Sequence, residues 1–591
     1  MASTTEIWFV DSEWGFRDGR VDEESAWEPV VCCLVGLSNG HRHHFWGRDS
    51  GLPAFVREHP NGVYVAHYAV AEMKYFLRLG VNLPTRWFDT LVAWRYLTNK
   101  PGYLEAGLAP ALHQLGLPSL APQEKKELQQ NLLHLRFESE DPADRREIID
   151  YCYSDCDGSA ALYSRLVHRV PHMVMAHWVE FLKAVARMEL RGIPFDQVGY
   201  ERIVRKQPEI KRLLIGAVND TWPIYDGETF KKKSFLQWCR QIGIVWPVKV
   251  SDTTGKPYFP LDKETLKDME GRHPFIAEVR EVNKTLSQFE GRSLTIDPCL
   301  GRHYYSTSVF RSITGRNQPR NFVFSGPKWL RFLIVPESPD HVLVYVDYIA
   351  QEIGVAAALS GDKAMRAIYE ADDCHMAFAI RAGAAPAGAT KRTHPGIRKV
   401  YKTVNLGMQY GQTAIGTAGR LGISIAEAET LVDAHKTLFS DFWRWSERTV
   451  QGAYDRDWIM TPCGWRCKVP FPSNERTWMN WPMQSVGADI MRLTVTYLDR
   501  QNVRILAPVH DGFLLSCRRR QLDDLRAAVD YACGTAIEQV LPGFPMRWDF
   551  TVHDSRFEDE DGQLMWLRLQ TILEEIARDE ESNTTKRAAA R

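Results

Sequence analysis

Three apolar runs in the C-terminal two-thirds of the chain constrain its fold most, because two of them flank an Asp-Gly turn. Residues 505–509 and 513–516 lie on either side of this turn, whose aspartate is Asp511, and this arrangement is typical of a β-hairpin. The third run, residues 342–346, predicts a strand that ends at Asp347. Acidic residues are common in turns and at helix caps, so a structural turn stays open as the alternative to a catalytic role for either aspartate.

The segment between these aspartates contains the most specific pattern in the chain. Arg398, Lys402, Leu406 and Tyr410 recur every four residues, which predicts one stripe along a helix. Two cations at one end of a stripe and an aromatic ring at the other suit a nucleoside triphosphate. Gly407 costs about 1 kcal/mol relative to alanine inside a helix and indicates a close approach there. A basic helix that faces acidic neighbours is the alternative.

The overall charge restricts how such a chain binds a polyanion. Lys and Arg total 73 against 74 for Asp and Glu, so the net charge is −1 over 591 residues. This excludes a uniformly basic nucleic-acid binder, and any positive surface must be local. Eleven cysteines without a CxxC pair disfavour structural zinc and indicate reduced thiols. The sequence contains neither an apolar run of about 18 residues nor a secretory signal pattern, so a membrane span is not expected.

Acidic residues near the N terminus form a second candidate site. Asp11 and Glu13 directly follow a strand pattern and, two residues apart, share one face of the strand. Two such carboxylates repel each other unless a divalent cation lies between them. Glu72 follows another strand pattern, and Tyr151 and Asp155 lie at i and i+4 on one helix face. Together these residues resemble the DEDD-type 3′–5′ exonucleases, in which four carboxylates bind two metal ions and the tyrosine orients the attacking water.

The second exonuclease motif departs from that family. The family has Asn and Asp where this chain has Tyr68 and Glu72, whereas Asp89 matches its non-catalytic aspartate. Glutamate is one methylene longer than aspartate, and two-metal sites respond to displacements of about 1 Å. We therefore expect an exonuclease that is slow or altered.

The later motifs, read in order, resemble the family A DNA polymerases of the DNA polymerase I type. With the exonuclease-like residues 5–170, the polymerase-like residues 180 to about 555 bring the match to nearly the whole chain. The match rests on dispersed motifs in the family's order: Thr314-Gly315-Arg316, Asp347-Tyr348 with Glu352, Asp373 with His375, the helix 398–411, Glu475-Arg476 with Asn480, Pro482, Gln484, Ala488 and Asp489, and Val509-His510-Asp511.

The resemblance to the polymerases assigns roles to these residues. Asp347 and Asp511, with the backbone carbonyl of Tyr348, are expected to bind two Mg²⁺ ions, with Mn²⁺ as a substitute. Lys402 is the expected proton donor to the leaving pyrophosphate. The expected dNTP-binding residues are Arg398, Lys402, Leu406, Tyr410, Glu352 and His375. The expected contacts to primer–template DNA are Arg316, Arg476, Asn480, Gln484 and His510.

Two of these positions depart from the polymerase family. Leu406 replaces a Phe or Tyr that stacks beside the 3′ side of the sugar, so weak use of dideoxynucleotides is expected. Gly512 replaces the glutamate that ends the last motif, which leaves the metal geometry to Asp347 and Asp511.

The predicted fold class is α/β plus α+β in several domains: an RNase H-like exonuclease domain followed by a right-hand polymerase. The expected boundaries are 1–175 for the exonuclease, 176–300 for the thumb, 301–362 and 451–556 for the two parts of the palm, 363–450 for the fingers and 557–591 for a C-terminal helical tail with a disordered end. Packing of this tail on its own domain is favoured over binding of a partner.

The predicted function is template-directed DNA synthesis with 3′–5′ proofreading, in a replicative enzyme of phage type. A monomer in the bacterial cytoplasm, bound to no membrane, is expected, and its replisome partner is unknown. Two alternatives remain open. One is an exonuclease whose polymerase half only binds DNA, and the other is a non-catalytic DNA-binding scaffold.

Overall fold

The computed structural model describes residues 6–16, 27–48, 51–102, 105–118, 141–251, 255–290, 294–297 and 299–589. These residues group into two compact units. Unit 1 consists of Met1–Gly192, Tyr304–Arg320 and Asp340–Val552, and unit 2 of Ile193–His303, Asn321–Pro339 and His553–Arg591. The division differs from the expected domain boundaries. The expected exonuclease and fingers residues and most of the expected palm residues fall in unit 1, whereas residues 321–339 of the expected palm and the C-terminal segment join most of the residues expected to form the thumb in unit 2.

The helices and strands alternate along most of the chain. The described helices are α1 (Leu52–Glu58), α2 (Ala69–Arg78), α3 (Thr90–Thr98), α4 (Leu108–Gln114), α5 (Pro142–Leu166), α6 (His172–Arg191), α7 (Gln197–Arg205), α8 (Gln207–Thr221), α9 (Lys232–Gln241), α10 (Lys263–Met269), α11 (Pro274–Glu290), α12 (Gln351–Ser360), α13 (Lys363–Tyr369), α14 (Cys374–Arg381), α15 (Pro395–Gln409), α16 (Ala414–Leu421), α17 (Ile425–Leu438), α18 (Ser440–Arg456), α19 (Glu475–Arg500), α20 (Leu522–Val540) and α21 (Glu560–Ala589). The described strands are β1 (Ile7–Phe16), β2 (Trp27–Gly36), β3 (Arg42–Trp46), β4 (Val63–Ala66), β5 (Arg86–Asp89), β6 (Ile193–Pro194), β7 (Tyr225–Asp226), β8 (Thr229–Phe230), β9 (Lys249–Val250), β10 (Pro257–Tyr258), β11 (Ile296–Asp297), β12 (Arg302–His303), β13 (Ser306–Ser308), β14 (Gln318–Arg320), β15 (His341–Tyr348), β16 (Trp458–Met460), β17 (Arg466–Lys468), β18 (Arg504–Val509), β19 (Gly512–Arg518) and β20 (Trp548–His553).

The N-terminal part of unit 1 is a mixed five-stranded sheet with the order β3-β2-β1-β4-β5. Strand β2 is antiparallel to both β1 and β3, whereas β4 runs parallel to β1 and β5 runs parallel to β4. Alternate residues of β1 face two different helices. Phe9 meets Tyr163 of α5 at 5.7 Å between ring centroids, and Trp14 meets Tyr75 of α2 at 5.3 Å. Helices α5 and α2 therefore cover opposite faces of β1.

The C-terminal part of unit 1 contains a four-stranded sheet with the order β18-β19-β15-β20. The hairpin predicted around Asp511 is confirmed, because β18 and β19 pair antiparallel on either side of it. Strand β15 pairs antiparallel with β19, and this register places Asp347 opposite Gly512. The two aspartates, 164 positions apart in the sequence, thus meet at one end of the sheet.

Unit 2 is mainly helical and ends in α21, a helix of 30 residues. Trp566 of α21 stacks on Phe332 with ring centroids 5.5 Å apart, and Leu569 and Leu573 are buried. The helix thus packs within its own unit, as favoured from the sequence. It continues to Ala589, through residues for which the composition indicated disorder.

Three buried cysteines, Cys33, Cys152 and Cys156, meet where α5 packs on β2. Cys32 and Cys33 lie on β2, and Cys152 and Cys156 lie one turn apart on α5. All eleven cysteines of the chain are free thiols. Among the described helices, none combines the length and apolar character that crossing a bilayer requires.

Candidate active sites

Asp347 and Asp511 lie within hydrogen-bonding reach of each other at the end of the four-stranded sheet. The amide of Tyr348 donates to the backbone oxygen of Asp511 over 3.3 Å, and the buried Tyr348 hydroxyl is hydrogen-bonded to Thr494 at 2.7 Å. Burial first, and then the negative charges of Asp511 and Asp549, raise the pKa of Asp347 to about 7. Two carboxyl groups held this close are stable only with a shared proton or a cation between them.

Gly512 is required by the close packing of the strands rather than by an unusual backbone angle. A Cβ atom at this position would lie 2.3 Å from the carbonyl oxygen of Val346 and 2.8 Å from Oδ1 of Asp347. A side chain at position 512 therefore requires the backbone of β15 or β19 to move. The glutamate expected from the family has no room in this arrangement.

Asp549, which sequence reasoning missed, lies beside this pair on β20. The amide of Ile349 donates to the carbonyl of Arg547 over 3.0 Å, a bond that joins the end of β15 to the start of β20. The two neighbouring strands must then run antiparallel, and Asp347 lies opposite Asp549 on the same face of the sheet. This neighbour could not be found from the sequence, because periodicity does not show which distant strands pair.

A cavity of about 870 Å³ lies in front of these acids. The predicted stripe on α15 is confirmed as one face of a helix, although the helix ends at Gln409 and Tyr410 is its C-terminal cap. The close approach indicated by Gly407 is made by Gln412, whose Oε1 would lie 2.3 Å from a Cβ atom there. Asp511 and all the expected dNTP-binding residues line this cavity, namely Arg398, Lys402, Leu406, Tyr410, Glu352 and His375.

Arg398 does not present an unpaired guanidinium to this cavity. Its Nε donates to Asp373, which also caps the N-terminus of α14. Burial opposes ionisation of Asp373, but the hydrogen bonds from Arg398 and from the Met376 amide hold its pKa below the usual value. Lys402, one turn further along α15, is exposed to solvent. Asp373 therefore partly neutralises one end of the cationic stripe.

His375 lies buried beside this ion pair. Burial, together with the positive charges of Arg398 and Lys402, lowers its pKa to about 4 against the opposing effect of Asp373. Its imidazole is therefore neutral at pH 7 and offers one N–H group, not a charge, to a ligand in the cavity.

Glu352 connects the side chains at the Tyr410 end of the cavity by hydrogen bonds. It accepts hydrogen bonds from the Tyr410 hydroxyl at 2.8 Å and from the Arg316 guanidinium at 3.0 Å. The Gln484 amide nitrogen lies 3.5 Å from the same hydroxyl. Tyr410 is thus held in place by a carboxylate, while its ring remains 43% exposed. Leu406, half-buried, precedes it by one turn.

The residues expected to contact DNA lie near this end of the cavity or in the turn that carries Asp511. Arg476, Asn480 and Gln484 recur every four residues on α19 and share one face. Arg476 packs against Gly411, where a Cβ atom would meet its Cγ at 2.8 Å. His510, in the hairpin turn, is exposed and has a φ of 55°.

A buried ion pair holds the turn that carries Arg316. Arg492 pairs with Asp489 and donates to the carbonyl of Gly315 over 2.6 Å. Asp489 therefore acts within the protein core, not at the cavity surface.

The structure brings Asp11 and Glu13 of β1 together with Cys152 of α5. Each residue offers one ligand atom, and these atoms lie within 4.8 Å of one another. The Cys152 thiol also donates to the backbone oxygen of Asp11 over 3.2 Å. Tyr151 is buried and Asp155 half-buried one turn further along the same helix. Cys152 is a donor that sequence reasoning missed, since a cysteine beside the expected motif carries no signal of its own.

Glu72 is not one of these three donors, although the charges of Asp11 and Asp155 act on it. Its carboxylate accepts a hydrogen bond from Ser12, and Ser12, between Asp11 and Glu13, projects to the opposite face of β1. Burial, followed by the charge of Asp11, raises the pKa of Glu72 well above its usual value. The carboxylate of Glu72 is therefore close enough to feel the charge of Asp11, but it is hydrogen-bonded to Ser12 and is not one of the three grouped donors.

Tyr68 occupies a backbone conformation that suits the asparagine of the exonuclease family. Its φ of 75° and ψ of 61° are left-handed, a region that Asn enters more readily than Tyr. Asp89 accepts from the amides of Ala69 at 2.8 Å and Val92 at 3.0 Å, so one buried carboxylate caps both α2 and α3.

A second cavity, of about 410 Å³, lies beside α2 and the hairpin of β13 and β14. Lys74 pairs there with Glu189 at 2.9 Å. Aromatic and cationic side chains line this cavity together: Trp14, Tyr68, Tyr304, Lys74, Arg78 and Arg320.

Comparison with known proteins gives the family of the chain. DNA polymerase I of Lactococcus lactis subsp. lactis (strain IL1403) is 25% identical over 402 residues, which cover 63% of this chain and 44% of that protein. The DNA polymerase of Mycobacterium phage D29 is 33% identical over 183 residues, 30% of this chain and 29% of that protein. The chain thus spans less than half the length of these relatives.

A solved structure supports the fold over nearly the whole chain. The POL domain of Pol1 from M. smegmatis, in complex with DNA primer-template and dNTP, matches with a TM-score of 0.70 at 19% identity, over 93% of this chain and 95% of that one. The sequence model of DNA polymerase family A matches residues 240–542, more than half of the chain. These residues include both aspartates of the four-stranded sheet and the whole stripe on α15. The chain therefore belongs to DNA polymerase family A.

Proposed function

We propose that this protein is a template-directed DNA polymerase that adds dNTPs to the 3′ end of a primer. The observation that carries the proposal is the placement of Asp347 and Asp511 together beside a cavity lined by the cationic stripe of α15. Membership of the family and the names of the relatives, each a DNA polymerase, support it.

The donor atoms at this end of the sheet fit Mg²⁺. Asp347 and Asp511 offer only oxygen donors, which this hard cation prefers, and the raised pKa of Asp347 indicates a place where positive charge is favourable. When bound, two such ions lower the pKa of the primer hydroxyl and stabilise the charge that develops on pyrophosphate. Mn²⁺ has the same preference for carboxylates and fits as a substitute.

The residues around the cavity then bind and orient the nucleotide. Lys402 contacts the triphosphate and donates a proton to the leaving group, and the neutral His375 donates a hydrogen bond to a phosphate oxygen. Arg398 reaches the phosphates as its contact with Asp373 is exchanged or shared. Tyr410, held by Glu352, lies against the sugar, so that a ribose 2′-hydroxyl is excluded. Arg316, Arg476, Asn480, Gln484 and His510 contact the primer–template.

We propose 3′–5′ exonuclease activity as the second function. Asp11, Glu13, Tyr151 and Asp155 supply its site on β1 and α5, and the aromatic and cationic cavity beside α2 suits a single-stranded 3′ end. The position of Glu72 against Ser12 favours a slow or altered reaction. In this proposal the protein is a monomeric replication enzyme of phage type that acts in a bacterial cytoplasm, and its likeness to the phage D29 polymerase supports the phage origin.

Primer extension and primer shortening, measured with and without dNTPs, test both activities on one labelled substrate. Asp347→Ala should abolish extension and leave shortening intact, whereas Asp11→Ala should abolish shortening and leave extension intact. Extension that survives Asp347→Ala would overturn the polymerase assignment. Shortening without extension by the unmodified protein would instead support the exonuclease alternative, and neither activity would support a DNA-binding scaffold.

A further inference from the structure

The donor set around Asp11 does not fit a site built for Mg²⁺ alone. Mg²⁺ is held by oxygen atoms, whereas a cysteine sulfur selects softer ions such as Zn²⁺ and Cd²⁺. The Cys152 sulfur lies within 4.8 Å of a carboxylate oxygen of both Asp11 and Glu13, so one ion can bind all three. The oxygen donor that the family places on α2 is not one of the three grouped donors, because the Glu72 carboxylate accepts a hydrogen bond from Ser12.

The position of Cys152 is fixed by the fold. It lies on α5, the helix that covers the Asp11 face of β1, and its side chain is fully buried. Its thiol donates to the backbone oxygen of Asp11 over 3.2 Å, which places the sulfur beside the carboxylates before an ion binds. A thiol held in this way adds a soft ligand to two hard ones, a combination that zinc accepts.

We propose that Asp11, Glu13 and Cys152 bind one thiophilic divalent ion of the Zn²⁺ class, and that this ion blocks Mg²⁺-dependent trimming of a 3′ end. On binding, the S–H bond of Cys152 breaks, a metal–sulfur bond forms and the proton passes to solvent. The blocking step rests on the proposed exonuclease function, whereas ion binding does not. The site of Asp347 and Asp511 has no thiol in its donor pair, so extension of a primer continues at the same ion concentration.

Optical titration of the full-length protein with Co²⁺ or Cd²⁺, in the absence of DNA, tests the binding step. A sulfur-to-metal charge-transfer band should appear, saturate at one equivalent and disappear in Cys152→Ser. Glu13→Gln should keep the band but weaken binding about tenfold or more. Cys156→Ser is the matched control, because its thiol lies one turn away on α5 and donates to the backbone of Cys33 at 3.4 Å. That variant should bind as the unmodified protein does.

Three results would overturn the proposal. One is the absence of a charge-transfer band, and the second is a band that persists in Cys152→Ser. The third is a band that Cys33→Ser removes but Glu13→Gln leaves at full affinity, since the ion would then lie between thiols. If Cys152→Ser fails to fold, as circular dichroism would show, the Glu13→Gln and Cys33→Ser titrations still decide the question.

Activity measurements test the blocking step separately. Micromolar Zn²⁺ should inhibit trimming by the unmodified protein and by Cys156→Ser, but not by Cys152→Ser, while extension is unchanged in all three. Zn²⁺ that inhibits trimming equally in Cys152→Ser would overturn the block at this site. A protein that shows the charge-transfer band but trims no DNA in Mg²⁺ would refute the proposed exonuclease function and leave the ion site intact.

Discussion

The hydroxyl of Tyr68 donates to the carbonyl oxygen of Thr307 over 3.0 Å, a contact between residues 239 positions apart. Both belong to unit 1. The bond ties the start of α2, where the backbone of Tyr68 is left-handed, to strand β13. The conformational cost of a left-handed tyrosine is thus offset by a tertiary hydrogen bond.

Removal of this hydroxyl should loosen the start of α2. We expect Tyr68→Phe to lower the free energy of unfolding by about 1 kcal/mol, the usual contribution of one hydrogen bond, and to speed hydrogen exchange of the first amides of α2. Mass-spectrometric exchange measures this locally. Tyr497→Phe, which removes an exposed contact with Gln539, is the control, and equal effects of both variants on α2 would contradict the prediction.

A methyl group at position 512 should disturb the end of the sheet that holds Asp347 and Asp511. Because the added Cβ would lie 2.3 Å from the carbonyl of Val346, Gly512→Ala should cost roughly 1–3 kcal/mol of stability. Displacement of Asp347 and Asp511 should slow primer extension about a hundredfold. Gly534→Ala on α20, where a Cβ atom meets open space, should be neutral or stabilising. Full activity of Gly512→Ala, measured by single-turnover kinetics, would refute this view.

Stability without divalent ions should depend on the ionisation of Asp347. Its pKa is about 7 in the folded protein and about 4 in an unfolded chain. The folded state therefore binds the proton more tightly, and stability falls as the pH rises from about 4 to about 7. Asp347→Asn removes this loss, so in EDTA its Tm should exceed that of the unmodified protein above pH 7 and match it near pH 4. A difference in Tm that is the same at every pH would contradict the assignment.

Asp549 should contribute to the attraction of cations by Asp347 and Asp511. An exposed charge opposite Asp347 contributes at most about 1 kcal/mol, so Asp549→Asn should raise the Mg²⁺ concentration for half-maximal extension by up to about fivefold. Asp523→Asn removes the same charge from the exposed start of α20 and should leave this concentration unchanged. The extension rate, measured as a function of Mg²⁺ concentration, distinguishes the two variants. Equal Mg²⁺ dependence of Asp549→Asn and Asp523→Asn would contradict the prediction.

Leu406 should limit the use of chain terminators. It lacks an aromatic ring beside the sugar, one turn before Tyr410 on the stripe of α15. An added ring contact contributes about 1 kcal/mol, so Leu406→Tyr should raise incorporation of dideoxynucleotides relative to dNTPs about fivefold. Leu406→Met keeps an aliphatic side chain and serves as the control. A ratio that is unchanged in Leu406→Tyr, measured by competitive primer extension, would contradict this role.

Local patterns in the sequence predicted the elements that carry the polymerase residues. The alternation of apolar and turn residues around Asp511 predicted the hairpin, and the spacing of four predicted the stripe from Arg398 to Leu406. These features depend on neighbours within about ten residues, so periodicity suffices to find them.

Contacts between distant residues could not be predicted in this way. The pairing of Arg398 with Asp373, and of Glu72 with Ser12, depends on how helices and strands pack. The expected geometry of the exonuclease carboxylates likewise took no account of a hydroxyl on the opposite face of β1. Here the competition between possible hydrogen-bond partners, not the motif, decides where a side chain points.

Strand β15 has a consequence for synthesis of the protein. It is an inner strand of its sheet, and both of its neighbours, β19 and β20, are encoded more than 160 codons after it. A growing chain must therefore carry an apolar strand without partners until residues 512–553 have left the ribosome, a period in which hydrophobic strands aggregate readily. The sheet that holds Asp347 and Asp511 is consequently completed only after β20 has been synthesised, and chaperones that shield residues 342–346 during that interval should improve the yield of folded protein.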